Sequence, residues 1–338
     1  MKIKNKFFLN ILINFNLFLF NIMWSQFTMT NYSLLSKNKI ITNNLLINKM
    51  MNERNIIYSL PDINYTINNI EIPLDIIDKL SDAPFVYKKG LFKKINKLNI
   101  QVKIEWNDNI IFLRTTRTKY KKILKRLPIF IKTINYIIGT SNKKVTIYLI
   151  LTHLKKKCIK NKDIGAKHVN SGYCDIKENY IFIWRDEEFE KVTFHELMHF
   201  YNKDHRTELY YKPDELYFEA ITDTKAIYYN LIYISIITKI KIKKLLNLEL
   251  NFLNNQALYI KYYLNFNKTS SPVFSYYILK AKIFNFLVSK NVNEKIYNDI
   301  FINNINGNKL IKLVINDKIN NINYYDFNSA RMTFFELQ

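Results

Sequence analysis

Apolar and polar residues alternate in the stretch that begins at residue 100, which is the pattern of a half-buried β-strand. Its apolar positions are Ile100, Val102, Ile104 and Trp106. Residues 110–113 continue the apolar pattern beyond Asn107 and Asp108, so the two segments predict a hairpin. Residues 145–151 (VTIYLIL) and 180–184 (YIFIW) are uninterrupted β-prone runs. We expect the first of these two runs to be a central strand.

Apolar residues recur at helical spacing over residues 118–138, and Gly139 is a suitable end for that helix. Pro128 lies inside it, so we expect the helix to be kinked or split there. Further helical segments are predicted in the C-terminal half, at residues 213–245, 247–264 and 274–290, and Pro213 is a good first residue for the first of them. The sequence therefore predicts an α+β fold, with a small mixed or antiparallel sheet and a mostly α-helical C-terminal half.

The helix expected after residues 180–184 begins in an acidic stretch. Asp186 can cap this helix through its side chain. Glu187 and Glu188 would then lie in the first turn, where the helix dipole favours negative charge. The strand before the helix belongs to a predicted hairpin, and one strand of that hairpin is expected at the edge of the sheet.

Changes in composition divide the chain into four parts. Residues 1–27 are a hydrophobic segment, 28–82 an Asn-rich extension, 83–230 the main domain and 231–338 a helical subdomain that completes its cleft. The apolar run at 7–24 follows three lysines, so it resembles a signal peptide or membrane anchor. Asparagines interrupt the run and no small-residue cleavage site follows, which slightly favours an intracellular protein with an apolar N-terminal helix.

Basic residues outnumber acidic residues by 51 to 28, which gives a formal net charge of +23. Such a charge attracts nucleic acid and anionic membranes. However, the chain has no nucleic-acid-binding motif, and its heavy use of Lys, Asn, Ile and Tyr resembles proteins of AT-rich genomes, such as those of large DNA viruses. Nucleic acid is therefore a disfavoured partner. Cys158 and Cys174 lack the paired spacing of a cysteine metal site, and form either one disulfide or two reduced thiols.

The chemistry of the chain is concentrated in residues 195–199, which read HELMH. On a helix, His195 and His199 lie on one face, so their imidazoles can bind the same metal ion. Zn²⁺ accepts imidazole nitrogen readily, and Glu196 is placed to take a proton from the attacking water. We therefore expect Zn²⁺ as the cofactor and Glu196 as the general base.

A catalytic zinc site needs a third protein ligand, and residues 218–223 (FEAITD) supply two carboxylates four positions apart. That spacing places Glu219 and Asp223 on one face of a helix. Glu219 is predicted as the third ligand. Asp223 is predicted to accept a hydrogen bond from the second ring nitrogen of a ligand histidine, which fixes the tautomer. A solvated acidic face is the alternative interpretation of this pair.

HELMH followed by FEAITD resembles the gluzincin zinc peptidases, and most closely the thermolysin-like pattern of HExxH with a second helix carrying ExxxD. Glu219 lies 20 positions after His199, which is the spacing of that pattern. The resemblance covers roughly residues 165–225. It implies a zincin-like fold built around an active-site helix, and a peptide or protein substrate.

The resemblance also implies how a substrate would be held. In this family the edge strand before the active-site helix pairs with the substrate backbone. The counterpart here is expected at residues 166–173, with Asn170 and Gly172 as contacts. Arg331, near the C-terminus, is a further candidate for holding a substrate carbonyl.

The chain departs from the thermolysin-like pattern at the oxyanion donor, because it has no histidine after His205. A tyrosine hydroxyl can also donate to a developing oxyanion. Tyr210 falls where the family has a catalytic tyrosine if the loop has no gap. Tyr276 and Tyr277 are rivals by resemblance to the gluzincin aminopeptidases.

A metzincin-like zinc peptidase is an alternative, because His205 follows His199 by six positions, with Asn202 where metzincins have glycine. Metzincins also need a methionine beneath the metal, and Met332 is the only methionine C-terminal to the motif. Glu219 is favoured over His205 because the glutamate interpretation accounts for two residues at the correct spacing.

The function predicted from these patterns is that of a zinc-dependent metallopeptidase, a hydrolase that cleaves peptide bonds with metal-activated water. An alternative from a different class is a basic structural protein, associated with nucleic acid or a virion, whose zinc site is not catalytic. Activity on an unfolded protein distinguishes the two.

Overall fold

Six β-strands and a larger set of helices make up the part of the chain that the computed structural model describes. The described residues are 44–72, 74–82, 86, 91–156, 165–203, 215–260, 273–288, 292–301 and 332–333. The hydrophobic segment at residues 1–27, Cys158 and Pro213 lie outside these ranges. Within them, no helix has both the length and the apolar character needed to cross a membrane.

The strands form one mixed sheet in the spatial order β1-β2-β3-β4-β6-β5. Their bounds are β1 (Thr66–Asn69), β2 (Ile100–Trp106), β3 (Asn109–Thr115), β4 (Thr146–Thr152), β5 (Gly172–Asp175) and β6 (Tyr180–Arg185). The β3, β4 and β6 strands run parallel to one another, and the remaining pairings are antiparallel. The strand predicted at residues 145–151 is therefore central, as expected.

The helices pack around this sheet and supply nearly all of the described structure after residue 186. Their bounds are α1 (Asn44–Ser59), α2 (Leu74–Asp82), α3 (Leu91–Ile95), α4 (Arg117–Ile138), α5 (Ala166–Val169), α6 (Phe189–Phe200), α7 (Glu215–Thr238), α8 (Ile242–Leu258), α9 (Lys280–Val288) and α10 (Glu294–Phe301). A π-helical segment, Phe274–Leu279, leads directly into α9. The prediction of an α+β class is confirmed.

The β2–β3 hairpin is confirmed at the predicted turn. Trp106 pairs with Asn109, which leaves two residues between the strands. These residues, Asn107 and Asp108, have positive φ values of 43° and 61°. Asparagine and aspartate tolerate this left-handed conformation, and a two-residue turn of this kind matches the twist of the flanking strands.

Both faces of the β4 strand are buried, which explains its uninterrupted apolar run. Ile147 and Leu149 join the main core with the large helices. Tyr148 and Ile150 face a second cluster, which α3 covers through Leu91 and Ile95. Apolar residues are therefore required at every position, and alternation is lost.

The prediction that Pro128 splits the first long helix is wrong, because α4 continues through it from Arg117 to Ile138. The alternative prediction, a kink at Pro128, stays a prediction. The proline ring lies on the exposed side of the helix, where water can satisfy the carbonyl group that loses its hydrogen bond. The neighbouring residues Leu127 and Phe130 are buried in the core. Their packing offsets the cost of the proline.

The edge strand of the sheet lies slightly later than predicted. Residues 166–169 form the short helix α5, and the strand itself is Gly172–Asp175. This strand, β5, pairs only with β6 in the sheet order and forms the outer edge next to α6. The hairpin that precedes the motif helix is thus present, with one strand at the edge as expected.

The Asn-rich extension contributes α1, which packs against α4 and α7. Arg54 Nε donates to Ser235 Oγ at 3.1 Å, and the Tyr228 hydroxyl donates to Glu53 at 3.1 Å. These contacts tie the extension to the helix that carries Glu219 and Asp223.

Candidate metal centre

The α6 helix, which carries the HELMH motif, is enclosed by the rest of the fold. Every residue from Phe189 to Phe200 is buried. The helix packs between the β5–β6 hairpin and α7, and it also contacts α4. A helix that is buried all round cannot leave polar side chains unpartnered. The polar residues of the motif must therefore be satisfied inside the protein.

His195, His199 and Glu219 converge on one point between α6 and α7. The Nε2 atoms of the two histidines lie 3.0 Å apart. Glu219 Oε2 lies 3.4 Å from Nε2 of His195 and 3.5 Å from Nε2 of His199. Ligand atoms around a tetrahedral zinc ion, each about 2.0–2.1 Å from the metal, are about 3.3 Å apart. The three side chains therefore fit one ion of this size and geometry.

Asp223 lies directly behind this group, one helical turn after Glu219. Its Oδ1 atom is 3.0 Å from Nδ1 of His195. Donation by Nδ1–H to a carboxylate leaves Nε2 with its lone pair directed at Glu219 and His199, which is the tautomer a metal ligand needs. The predicted juxtaposition of Asp223 with a histidine of the motif is thus present in the structure.

Two buried lysines, Lys191 and Lys280, also contact the Asp223 carboxylate. Lys280 Nζ lies 2.7 Å from Oδ2, and Lys191 Nζ contacts Oδ1. Burial by itself raises the pKa of Asp223, but the two ammonium groups and the His195 ring outweigh it and hold that pKa well below its usual range. Asp223 is therefore an anion in the folded protein.

Neither lysine was predicted as part of the site. Lys191 lies four positions before His195, so the same helical spacing that groups the histidines could have identified it. Lys280 comes from α9, 57 positions after Asp223. No local sequence pattern indicates a contact between residues so far apart in the chain.

Glu196 lines a cleft beside the two histidines and is 6% exposed. Asn170, Ser171 and Gly172, at the start of the edge strand, also line this cleft. The two sequence-predicted substrate contacts, Asn170 and Gly172, therefore share the cleft with the predicted base. Oδ1 of Asn170 and Oγ of Ser171 are buried and have no hydrogen-bond partner among the described residues.

Gly172 allows the edge strand to approach α6 closely. A Cβ atom at this position would lie 2.6 Å from Cδ1 of Ile183 and 2.9 Å from Cγ1 of Val192. It would also lie 3.0 Å from the carbonyl oxygen of Phe182. Real Cβ atoms do not approach so closely, so the width of the cleft depends on glycine here.

Tyr276, in the π-helical segment, reaches the metal-ligand group from the C-terminal half. Its hydroxyl donates to Oε2 of Glu219 at 3.1 Å, and its ring lies 6.1 Å from the His195 ring. Burial, followed by the charges of Glu219 and Glu196, raises the pKa of Tyr276 well above its usual value. The phenol therefore stays protonated and remains a hydrogen-bond donor.

The other candidates for the oxyanion donor and the third ligand are placed differently. Tyr277 lies next to Lys280, with its ring 6.0 Å from the lysine Nζ, and it does not line the cleft. Tyr210, His205 and Arg331 lie outside the described residues. Of the tyrosines predicted as oxyanion donors, Tyr276 is the one whose hydroxyl is seen to donate to Glu219.

The predicted cap of the motif helix is wrong. The capping position is Glu188, whose backbone is left-handed at φ 60° and whose side chain makes no capping hydrogen bond. The Asp186 carboxylate instead contacts the His153 ring. Local propensity favoured Asp186, but tertiary contacts with distant parts of the chain decide the structure of this stretch.

The prediction that Glu187 and Glu188 lie in the first turn of α6 is wrong. Both residues precede the helix, and both are buried. The Glu187 carboxylate accepts from the Lys156 backbone N–H at 2.8 Å. The Glu188 carboxylate pairs with the Lys156 ammonium group at 2.5 Å, and both side chains are fully buried. Burial, with the charge of Glu188, raises the pKa of Glu187. These two acids support the start of the helix from within the core.

Comparison with known proteins does not place the chain in a family. No protein family, no curated protein sequence and no solved structure matches it. The function proposed below therefore rests on the geometry of the site. Within the described ranges, His195, His199 and Glu219 are the group of side chains whose ligand atoms, all within 4.8 Å of one another, could hold a metal ion.

Proposed function

We propose that the protein is a zinc-dependent metallopeptidase of gluzincin type. The observation that carries this proposal is the convergence of His195 Nε2, His199 Nε2 and Glu219 Oε2, with separations of 3.0, 3.4 and 3.5 Å. Two imidazoles and one glutamate are a donor set of catalytic zinc sites, which keep a fourth position open. Asp223 supports the assignment, because an acceptor behind a ligand histidine is a usual companion of such sites.

Zn²⁺ bound by these residues would act as a Lewis acid that polarises the scissile carbonyl and lowers the pKa of water. Glu196, next to His195 on the cleft wall, takes the proton of the attacking water and passes it to the leaving amine. Glu196 is 6% exposed, so little bulk water competes for this proton transfer.

Tyr276 is the proposed donor to the developing oxyanion. Its hydroxyl already lies at the ligand group, 3.1 Å from Glu219 Oε2, and its raised pKa keeps it protonated. A preorganised donor in a buried site stabilises the transition state more than the ground state. The edge strand β5, with Asn170 and Gly172 at the cleft, is the proposed place for the peptide substrate.

The proposal is tested by measuring the metal content of the purified protein together with hydrolysis of an unstructured protein. We expect about one zinc per chain in the parent protein. The Glu219→Ala variant should lose that zinc, whereas His205→Ala should retain it. Loss of zinc in His205→Ala but not in Glu219→Ala would assign the third ligand to His205, and stoichiometric zinc with no hydrolysis would contradict peptidase activity.

A further inference from the structure

The residues Met332 and Thr333, here called the C-terminal latch, are held by hydrogen bonds inside the protein. The backbone N–H groups of both residues donate to Oε1 of Glu188, each at 2.6 Å. The Thr333 hydroxyl donates to Oε2 of Glu249, on α8, at 2.8 Å. The latch therefore joins the start of the motif helix to the helical C-terminal half.

The latch also reaches the residue that orients His195. The Lys280 ammonium group donates to the Met332 carbonyl oxygen at 2.7 Å and to Asp223 Oδ2 at 2.7 Å. Lys280 is fully buried, so its charge is stabilised by these protein acceptors rather than by water. The same ammonium group thus bridges the carbonyl oxygen of the latch and the Asp223 carboxylate.

A second path runs through the motif helix itself. Lys191 contacts Asp223 Oδ1, and its Nζ lies 3.9 Å from the Met332 sulfur. The Met332 side chain lines the same cleft as His195 and Glu196. Both lysines that hold Asp223 therefore also touch the latch.

A third path runs through Glu188, at the start of the motif helix. Glu188 has a left-handed backbone, which is unfavourable for a residue with a side chain. Its carboxylate is held by the latch N–H groups on one oxygen and by Lys156 on the other. These contacts fix the conformation in which α6 begins, seven positions before His195.

We propose that Lys280 and the C-terminal latch are positioning elements of the metal centre, and that high metal affinity requires the latch to be docked. Lys280 acts through Asp223, which fixes the tautomer and ring orientation of His195. The inference rests on the proposed zinc site, and it adds that the site is incomplete until Met332 and Thr333 are docked.

The test compares two truncations and one point variant of the full-length protein. Truncation after Thr333 removes residues 334–338 and keeps the latch, whereas truncation after Arg331 removes it. Lys280→Met removes the ammonium group while keeping the length of the side chain. Lys132→Met, at a buried lysine on α4 that pairs with Asp62, is the matched control. Zinc affinity is measured by competition with a chromophoric chelator, and the Co²⁺-substituted proteins report ligand geometry by their visible absorption.

We expect truncation after Arg331 and Lys280→Met to weaken zinc binding about 10- to 100-fold and to shift the Co²⁺ spectrum, as is typical when a partner behind a ligand is lost. Truncation after Thr333 and Lys132→Met should stay within a few-fold of the parent. Parent-like affinity and spectrum in Lys280→Met would overturn the proposal. The proposal would also be overturned if metal-free Lys280→Met lost its helical circular dichroism, because Lys280 would then support the whole fold. Absence of zinc from the parent protein would instead refute the proposed function.

Discussion

Nδ1 of His195 lies 3.0 Å from Oδ1 of Asp223, which comes from a different helix 28 positions further along the chain. This contact turns the other nitrogen of the imidazole towards His199 and Glu219. The same carboxylate contacts two buried lysines. One side chain therefore sets both the orientation of a proposed metal ligand and the charge balance of the interior beneath it.

Asp223→Asn is expected to destabilise the metal-free protein by about 3 kcal/mol, because removal of one partner from a buried ion pair leaves an uncompensated charge. Asparagine keeps the size of the side chain but leaves Lys191 and Lys280 without their common counter-ion. The free energy of unfolding is measured by urea denaturation at pH 7. A change below about 1 kcal/mol would show that the lysines find other acceptors.

A double variant tests whether the loss of a shared counter-ion explains the destabilisation. In Asp223→Asn/Lys280→Met one of the two uncompensated ammonium groups is also removed, so the double variant should be more stable than the sum of the single effects predicts. Strict additivity of the two changes would mean that Asp223 and Lys280 contribute independently.

Glu196→Gln is expected to keep about one zinc per chain and to lose activity about 10²- to 10⁴-fold, the usual contribution of a general base. Glutamine is similar in shape but cannot accept the proton of the attacking water. Zinc content and the rate of cleavage of an unstructured protein are measured on the same preparation. Retention of full activity would remove Glu196 from the mechanism.

Tyr276→Phe is expected to lower kcat about 10²- to 10³-fold with little change in KM, because loss of an oxyanion donor acts on the transition state. Zinc affinity should change only a few-fold, since the three ligands remain. Tyr277→Phe is the matched control, because the neighbouring ring is also buried but does not line the cleft. Equal losses in the two variants would point to a general effect of the π-helical segment.

The parts of the fold that follow from local periodicity were predictable from the sequence. The β2–β3 hairpin depends on alternation and on a turn that Asn107 and Asp108 can adopt. The grouping of His195 with His199, and of Glu219 with Asp223, depends only on the helical repeat. These features need no knowledge of distant residues.

The environment of Glu188 was not predictable in this way. Its partners Met332 and Thr333 lie 144 and 145 positions away, and they leave no pattern in the sequence near the helix start. The helix dipole favoured the acid in the first turn of the helix, whereas a buried cation and two backbone donors hold it in the core. The bounds of the edge strand were wrong for a related reason, since close packing on α6 sets where Gly172 must lie.

Gly172→Ala is expected to lower the free energy of unfolding by about 1–3 kcal/mol, the usual cost of overpacking. The new methyl group would overlap with Ile183 and Val192 and with a backbone oxygen of β6. Gly165→Ala is the control, because no atom of the described residues, apart from its chain neighbours, lies within 4 Å of a Cβ at that position. Thermal and urea unfolding of both variants are compared with the parent. Equal stability of the two variants would show that the edge strand can move away from α6.

Glu53 is expected to make stability depend on pH. Burial raises the pKa of this carboxyl, on α1 beside Tyr228, from 4.5 to about 7. The folded state therefore binds the proton more tightly than the unfolded state. The stabilisation is fully present below about pH 4.5 and is lost as pH rises through about 7. The loss is about 3 kcal/mol, because each pKa unit corresponds to about 1.4 kcal/mol.

Glu53→Gln isolates this contribution, because glutamine is uncharged at every pH in the range. Urea unfolding between pH 4.5 and pH 8 should show a smaller decline in stability for Glu53→Gln than for the parent, with the difference growing through pH 7. Glu71→Gln, at an exposed position, should follow the parent curve. Parallel curves for Glu53→Gln and the parent would contradict the raised pKa of Glu53. The Glu53 carboxyl would then be ionised in the folded protein, and the carboxylate would contact Tyr228 at no cost in stability.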